Sequence, residues 1–296
     1  MNRFSPLRYP GGKGKLAAYL SEIITLNGIQ GAPYVEPFAG GAAVGLELLF
    51  SELVSEIHIN DTDPCIQAFW MSAVHDSAAL IDLVLSTPVT VESWLAAREV
   101  RRSPEEYSTL EVGFATFFLS RTNRSGIING GVIGGLDQSG KGKIDCRFNK
   151  EDLVSRLRRI GFFKSRIKVH CEDGGQLVSR LSDNIDPNAL FYIDPPYYVK
   201  GAFLYRNHFR HADHLTLSKV VGQLKQRWVV SYDDVDQIRQ MYTGFEQEGF
   251  GIDYTARNYA RGKEVMIFSP DLVRPQRVYC SEKERRASML VTEASS

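Results

Sequence analysis

Asp194-Pro195-Pro196-Tyr197, preceded by Leu190-Phe191-Tyr192-Ile193, is the stretch of this chain best suited to chemistry. Four apolar residues without polar alternation predict a short strand covered on both faces. Two successive prolines supply no backbone N–H and fix φ, so the strand must end there. A stiff tip is left at its carboxyl end: the Asp194 carboxylate, the Pro195 carbonyl and the Tyr197 ring. In open α/β sheets that edge is where ligands bind. A carboxylate beside a carbonyl can accept both hydrogens of an aromatic NH2 and turn its delocalised lone pair towards an incoming methyl group. The amine gains positive charge in such a transfer, and acceptors fixed in advance stabilise it. Each hydrogen bond to a charged partner is worth roughly 1.5–3 kcal/mol, and stacking of a base on a neighbouring ring about 1–3 kcal/mol. The same residues also make an ordinary strand terminator before a turn. The choice between the two readings falls to the elements that would have to position the tip.

The first is Arg8-Tyr9-Pro10-Gly11-Gly12-Lys13-Gly14-Lys15, which leads into a helical pattern from Leu16 to Ile24. It is not a phosphate loop, because Tyr9 stands where the first glycine belongs and Leu16 where Ser or Thr would hold magnesium. A flexible backbone carrying a ring and a lysine remains. That lysine can pair with a carboxylate, including one on an amino-acid-like ligand, or simply be solvated in a mobile loop. Next, Tyr34-Val35-Glu36-Pro37-Phe38-Ala39-Gly40-Gly41 and the helical run Ala42 to Phe50 read as strand, glycine turn and helix, the opening of a nucleotide-binding unit. The dinucleotide fingerprint is missing. Ile57-His58-Ile59-Asn60-Asp61 then reads as a second strand ending on an acid, the position that commonly bonds a ribose hydroxyl. Together they fit an adenosine ligand without a diphosphate.

From Asp63 to about Lys164 the pattern is largely helical, with segments near 64–75, 91–102 and 107–119. Arg121-Thr122-Asn123-Arg124-Ser125-Gly126 and a glycine-rich loop from Gly130 to Gly142 lie in its middle. A polar loop of that length exceeds what a simple connection needs. Arg121, Arg124, Lys141, Lys143 and Arg147 make the region basic, suiting it to a nucleic acid; a solvated helical subdomain is the plainer alternative. The chain carries 35 basic and 35 acidic residues, yet between Arg98 and Lys168 there are 15 Lys or Arg against eight Asp or Glu. That local surplus is what a polyanion site would need. The α/β pattern resumes at Ile167–Cys171, with Glu172-Asp173 before a helix to Leu181. After the central strand come a helix at about 212–226, a strand at 228–231, a helix at 235–242 and a strand at 265–268. This alternation predicts a mainly parallel sheet.

The 296 residues, 43% hydrophobic and 24% charged, suit one large domain or a domain with a sizeable insertion. Neither a signal-like segment nor an apolar run of membrane-spanning length is present. Cys65, Cys146, Cys171 and Cys280 lack metal-type spacing and read as reduced thiols of a cytoplasmic protein. His208, His211 and His214 sit three apart, but no carboxylate or thiolate completes a metal set, and Asp213 reads as a helix N-cap. No metal is expected. The expected organisation is an α/β fold with a mainly helical insertion; the family resemblance these motifs carry implies a Rossmann-like methyltransferase sheet and makes the insertion a target-recognition domain. The catalytic domain would take residues 1–63 and 165–270, the insertion 64–164, and a flexible tail 271–296.

From Arg8 to Phe268 these motifs resemble the Dam-like DNA adenine-N6 methyltransferases of the alpha motif order. Tyr9-Pro10-Gly11-Gly12-Lys13 is similar to the family's cofactor-contacting aromatic-x-Gly-Gly-Lys. Glu36-Pro37-Phe38-Ala39-Gly40-Gly41-Ala42 is similar to its Glu-Pro-Phe-x-Gly-x-Gly, with Ala42 in place of the second family glycine. Asp194 to Tyr197 match the catalytic motif in full. Asn123-Arg124-Ser125-Gly126 and Arg147-Phe148-Asn149 resemble its DNA-contacting pieces, and Phe209 with Asp213-His214 its downstream segment.

The resemblance implies S-adenosylmethionine as methyl donor, held by Tyr9, Lys13, Glu36, Pro37, Phe38, Gly40, Asp61, Asp173 and Asp194. Asp61 would serve as ribose acid and Asp173 as the acid near the adenine; Gly174 stands where many members have an aromatic residue. Asp194, Pro195, Pro196 and Tyr197 would be catalytic, and Arg121, Asn123, Arg124, Lys141, Lys143 and Arg147 would contact DNA. The implied activity is site-specific methylation of N6 of a flipped-out adenine in duplex DNA, with or without a cognate restriction enzyme. The resemblance implies no membrane partner and leaves the oligomeric state open. Adenine methylation in RNA, a non-catalytic DNA-binding homologue, and cytosine-N4 methylation, which usually carries Ser in place of Asp194, are the rival readings. The reading requires a tip that is not plugged by the protein's own side chains.

Overall fold

A computed structural model of the chain describes residues 4–199, 209–253, 261–281 and 284. Among them are seven strands: β1 (Tyr34–Glu36), β2 (Ile57–Asn60), β3 (Ile167–His170), β4 (Leu190–Ile193), β5 (Arg227–Asp233), β6 (Glu246–Asp253) and β7 (Arg261–Phe268). The α-helices are α1 (Ala17–Leu26), α2 (Ala43–Phe50), α3 (Pro64–His75), α4 (Ser77–Ser86), α5 (Val91–Arg102), α6 (Thr109–Thr122), α7 (Lys150–Phe162), α8 (Gly174–Ser182), α9 (His211–Gly222) and α10 (Asp236–Met241). The chain divides into two units. One comprises Lys13–Asn60 with Glu172–Ser296, the other Met1–Gly12 with Asp61–Cys171.

The first unit is an α/β sheet in the order β2-β1-β4-β5-β7-β6. β2, β1, β4 and β5 run parallel. β7 is antiparallel to β5, and β6 antiparallel to β7. The expectation of a mainly parallel sheet therefore holds for its centre and gives way at one edge. β6 escaped the sequence reading because Glu246-Gln247-Glu248-Gly249 has no apolar run, as suits an edge strand. Strand order reverses between β1 and β4, so the loops leaving those two strands open at the switch point, where such sheets bind ligands. β1 and β4 are buried throughout. Val35, Phe191, Ile193, Trp228, Val230 and Ile267 pack with Leu177 and Val178 of α8 and Leu217 and Val221 of α9. The stiffness of the tip thus comes from core packing as well as from two prolines.

The second unit is helical. Phe69, Trp70, Phe117, Phe118 and Phe148 form its aromatic centre, with Phe69 stacked on Phe117 at 5.9 Å. Asp63 caps α3, Ser108 and Glu111 form a capping box on α6, and Asn149 caps α7; caps of this kind satisfy N–H groups that a helix start leaves unpaired. The dividing points fall a few residues outside the expected 64–164. Residues 1–12 also group here, because Arg121 donates to the Pro6 carbonyl at 2.5 Å and Arg156 to that of Ser5 at 2.8 Å.

The expected tail from 271 is corrected over its first part. Arg274 pairs with Glu246 and Glu248, Asn27 bonds Val273, and the Tyr279 hydroxyl donates to Glu22 of α1 at 2.5 Å. Except for Glu284, residues 282–296 lie outside the described residues. No single described helix is long and apolar enough to cross a membrane, although the bent pair α3–α4 meets that test jointly.

Candidate active site

Ile193 of β4 lies opposite Val230 of β5, so the next residues along are Asp194 and Ser231. Ser231 Oγ donates to Asp194 Oδ1 at 2.8 Å. Tyr192 OH lies 2.8 Å from the same Oγ; as the serine's one proton goes to Asp194, the tyrosine is the donor. Two residues further, the Asp233 carboxylate receives the N–H groups of Tyr198 and Val199 at 2.8 and 2.9 Å. The chain leaving the prolines is thereby held as well. Neither Ser231 nor Asp233 was singled out from sequence. The available signal was a polar residue interrupting an apolar strand, Trp228-Val229-Val230-Ser231-Tyr232-Asp233, since a buried polar group needs a partner.

Lys13 closes one side of the tip. Its Nζ lies 3.0 Å from Asp194 Oδ1 and 3.6 Å from Glu264 Oε1, donates to the Tyr197 hydroxyl, and sits 4.6 Å from the centre of that ring. Tyr197 in turn donates to Glu264 Oε1 at 2.6 Å. Lys13, Tyr197 and Glu264 are all buried. Burial pushes the Asp194 and Glu264 carboxyls up, and the lysine charge pulls both back. The contacts of Asp194 both fall on Oδ1. Among the described residues its Oδ2 has no partner, and the side chain keeps 19% exposure. One oxygen is anchored and the other is open.

The loop after β1 is built from below. Glu36 is buried and accepts from Tyr34 OH at 3.0 Å and from the Gly45 N–H at 2.9 Å. Burial outweighs both bonds and pushes its pKa up to about 7. Asn60, at the end of β2, donates to the carbonyls of Pro37 and Glu172 at 2.8 and 2.9 Å and accepts from the Glu172 N–H at 3.0 Å. It latches the loop carrying Pro37, Phe38 and Gly40 to the start of α8. Asp173 caps α8 through the Gln176 N–H and is otherwise exposed. Gly174 explains itself here: a Cβ would lie 2.4 Å from the Phe38 ring, which meets Phe209 edge-on at 5.8 Å. The aromatic expected after Asp173 is thus absent because Phe38 occupies that space. A groove of about 790 Å³ runs from Asp173 and Phe209 between α8 and α9.

A family model described as D12 class N6 adenine-specific DNA methyltransferase matches residues 9–254. The chain belongs to this family. It is an adenine-specific DNA methyltransferase, and S-adenosylmethionine is its methyl donor. Comparison with curated protein sequences gives no significant match. Among solved structures it is similar to the rRNA methyltransferase aviRa from Streptomyces viridochromogenes, at 12% identity and a TM-score of 0.41 over 90% of this chain and 88% of that one. It is also similar to a SAM-dependent methyltransferase from Agrobacterium tumefaciens, at 9% identity and a TM-score of 0.40 over 86% and 61%.

In this methyltransferase several residues expected at the cofactor or the DNA are engaged within the protein. Lys13, expected against the cofactor, is turned inward and paired with two protein carboxylates, the arrangement a buried ammonium requires. Tyr197, expected to stack on the base, has its hydroxyl tied down and Lys13 over its ring. Arg121 and Asn123, expected on DNA, are buried. Asn123 accepts from Trp94 Nε1 at 2.6 Å and donates to the carbonyls of Ile127 and Ile128 at 2.9 and 2.7 Å. Both residues shape the loop from within. Gly126, at φ +74°, passes so close to Arg8 that a Cβ would lie 2.5 Å from its carbonyl oxygen.

Arg124, Lys141, Lys143 and Arg147 are exposed on the helical unit. The glycine-rich loop that carries Lys141 is laced by Gln138, which bonds Ile133 O, Gly135 O and Ile144 N. Tyr9 and Asp61 belong to this unit as well, and the Asp61 carboxylate accepts the Asp63 N–H at 2.9 Å. Asp213 is not the N-cap of α9 but its third residue, accepting from the Arg210 N–H. His214 is buried against Tyr232, and burial pushes its pKa down to about 4. His211 bonds Tyr198, and His208 lies outside the described residues. No group of His, Cys, Asp or Glu suited to a metal occurs among the described residues.

Proposed function

We propose that this methyltransferase acts on adenines turned out of duplex DNA, and that Asp194 holds the target amine. The observation that carries this reading is the divided carboxylate. Oδ1 is fixed by Ser231 and Lys13, while Oδ2 is open at the carboxyl end of a buried parallel strand. One amine hydrogen goes to Oδ2 and the other to the Pro195 carbonyl, which aims the nitrogen lone pair away from the tip. Asp194 accepts hydrogen bonds and stabilises the charge growing on nitrogen; it does not deprotonate the amine before attack. Pro195 and Pro196 keep the acceptors in place. With Tyr197 committed to Lys13 and Glu264, its ring serves as a wall of the pocket, and stacking falls to another group.

The residues fit a cationic nucleoside donor. Glu36, Asp173 and Asp194 provide acceptors, and the half-buried Phe38 ring meets Phe209, which lines the groove that begins at Asp173. When bound, S-adenosylmethionine supplies an electrophilic methyl group. Glu36, Pro37, Phe38, Gly40 and Asp173 hold it, and Tyr9 and Asp61 are assigned to it on the resemblance alone. Arg124, Lys141, Lys143 and Arg147 bind phosphates or bases of DNA. Extruding the adenine costs a few kcal/mol, approximately offset by its contacts in the site. The setting is cytoplasmic, and a companion restriction nuclease would share the same target sequence.

Sequencing that detects modified bases in DNA from cells expressing the chain tests this reading. N6-methyladenine at one short motif is expected. Matched DNA and RNA duplexes in a methyl-transfer assay form the second arm, and labelling of RNA alone would overturn the substrate.

A further inference from the structure

The buried acid Glu264 plays no part in the chemistry assigned so far. It projects from β7, is 1% exposed, and among the described residues its buried Oε2 has no hydrogen-bond partner. Its Oε1 lies 2.6 Å from Tyr197 OH and 3.6 Å from Lys13 Nζ, the same nitrogen that stands 3.0 Å from Asp194 Oδ1. One ammonium therefore has two carboxylates within reach, one in the proposed active tip and one behind it. A positive charge develops on the target amine beside Asp194 during methyl transfer. A lysine fully committed to the same carboxylate competes for it and repels that charge.

We infer that Glu264 is a positioning residue that takes over Lys13 as positive charge grows on the target amine held by Asp194. The shift needs only a small movement of Nζ, from a contact at 3.0 Å to one now at 3.6 Å. No covalent bond changes and no proton leaves the cluster; Lys13 remains an ammonium and exchanges one hydrogen-bond acceptor for another. Tyr197, bonded to both Lys13 and Glu264, keeps the two in register. The ionisable groups around Glu264 are Lys13 and Tyr197 at contact, Asp194 through its charge, Asp233 opposite it in the β5 pairing, and Tyr192 and Cys280 further off. The inference rests on the assignment of Asp194 as the amine acceptor.

The test uses the full chain, S-adenosylmethionine and a methyl-accepting DNA duplex, with single-turnover rates followed against pH. Glu264→Gln keeps the volume and removes the charge. It should slow the chemical step by about 10- to 100-fold while leaving cofactor and DNA affinities within about twofold, the signature of an interaction made only in the transition state. Its acid limb should move to lower pH by about one unit, because Lys13 then serves Asp194 alone and a like charge is gone. Glu264→Asp should recover most of the rate and the original limb. An unchanged rate in Glu264→Gln, or equal losses in both variants with an unmoved limb, would overturn the inference. Asp194→Asn, measured alongside, separates the two failures: if it turns over normally, the amine-acceptor assignment itself falls.

Discussion

In the proposed reaction Asp194 serves two purposes at once, structural through Oδ1 and chemical through Oδ2. Removing its carboxylate should therefore abolish transfer without unfolding the sheet. Asp194→Ala is expected to lower the single-turnover rate by at least about 10²–10³-fold, with cooperative thermal unfolding retained; substantial residual turnover would end the proposed role. Glu36 is a residue of the opposite kind, whose charge costs stability. Its folded-state pKa of about 7 lies above the ordinary 4.5. Between those values the folded state binds more protons than the unfolded chain, so its contribution is complete at low pH and is lost as pH rises through about 7. At full effect the difference is roughly 3 kcal/mol. Glu36→Gln should flatten this part of the stability curve, and urea titrations at a series of pH values would show it. Gly174 is a steric case. Gly174→Ala should displace the Phe38 ring and weaken cofactor affinity, measured by calorimetry, with little change in the chemical step once the enzyme is saturated.

The elements of the helical unit separate residues that shape a surface from residues that present it. Asn123 makes three side-chain hydrogen bonds at the junction of α6 and the glycine-rich loop, whereas Arg124 one position later is exposed. The two should respond differently to salt. Replacing Arg124, Lys141, Lys143 or Arg147 singly by Ala should lower DNA affinity and reduce the slope of log K against log salt by about one where a phosphate contact is lost. Asn123→Ala should leave that slope largely intact, because it removes no charge. It should instead destabilise the unit, as loss of buried hydrogen bonds costs about 1–3 kcal/mol for each group left unpaired. Fluorescence anisotropy at several salt concentrations, paired with thermal unfolding, tells these outcomes apart.

At the scale of the whole molecule, residues 269–281 beyond β7 are part of the α/β unit and not an appendage. Tyr279 is buried, meets Tyr19 edge-on at 5.3 Å and donates to Glu22. Tyr279→Ala should cost about 3–5 kcal/mol and lower the melting temperature. The alternation of strands and helices, the ends of β4 and the basic helical stretch were legible in the sequence, because period, proline and charge are local properties. Asp194, Glu36 and the loop after β1 could be placed for the same reason: each stands beside a strand end marked by proline or glycine. What lay outside local pattern was partnership. Lys13 and Glu264 are far apart along the chain, and only the pairing of β7 with β5 beside β4 brings them to one carboxylate. Likewise, nothing in an arginine or asparagine reveals whether it faces water or a buried carbonyl, so Arg121 and Asn123 were read as surface until packing turned them inward. The sequence by itself determined which groups are candidates for the chemistry. The tertiary structure decided which of them remain available for it, because burial forces every enclosed charge to find its partner within the protein.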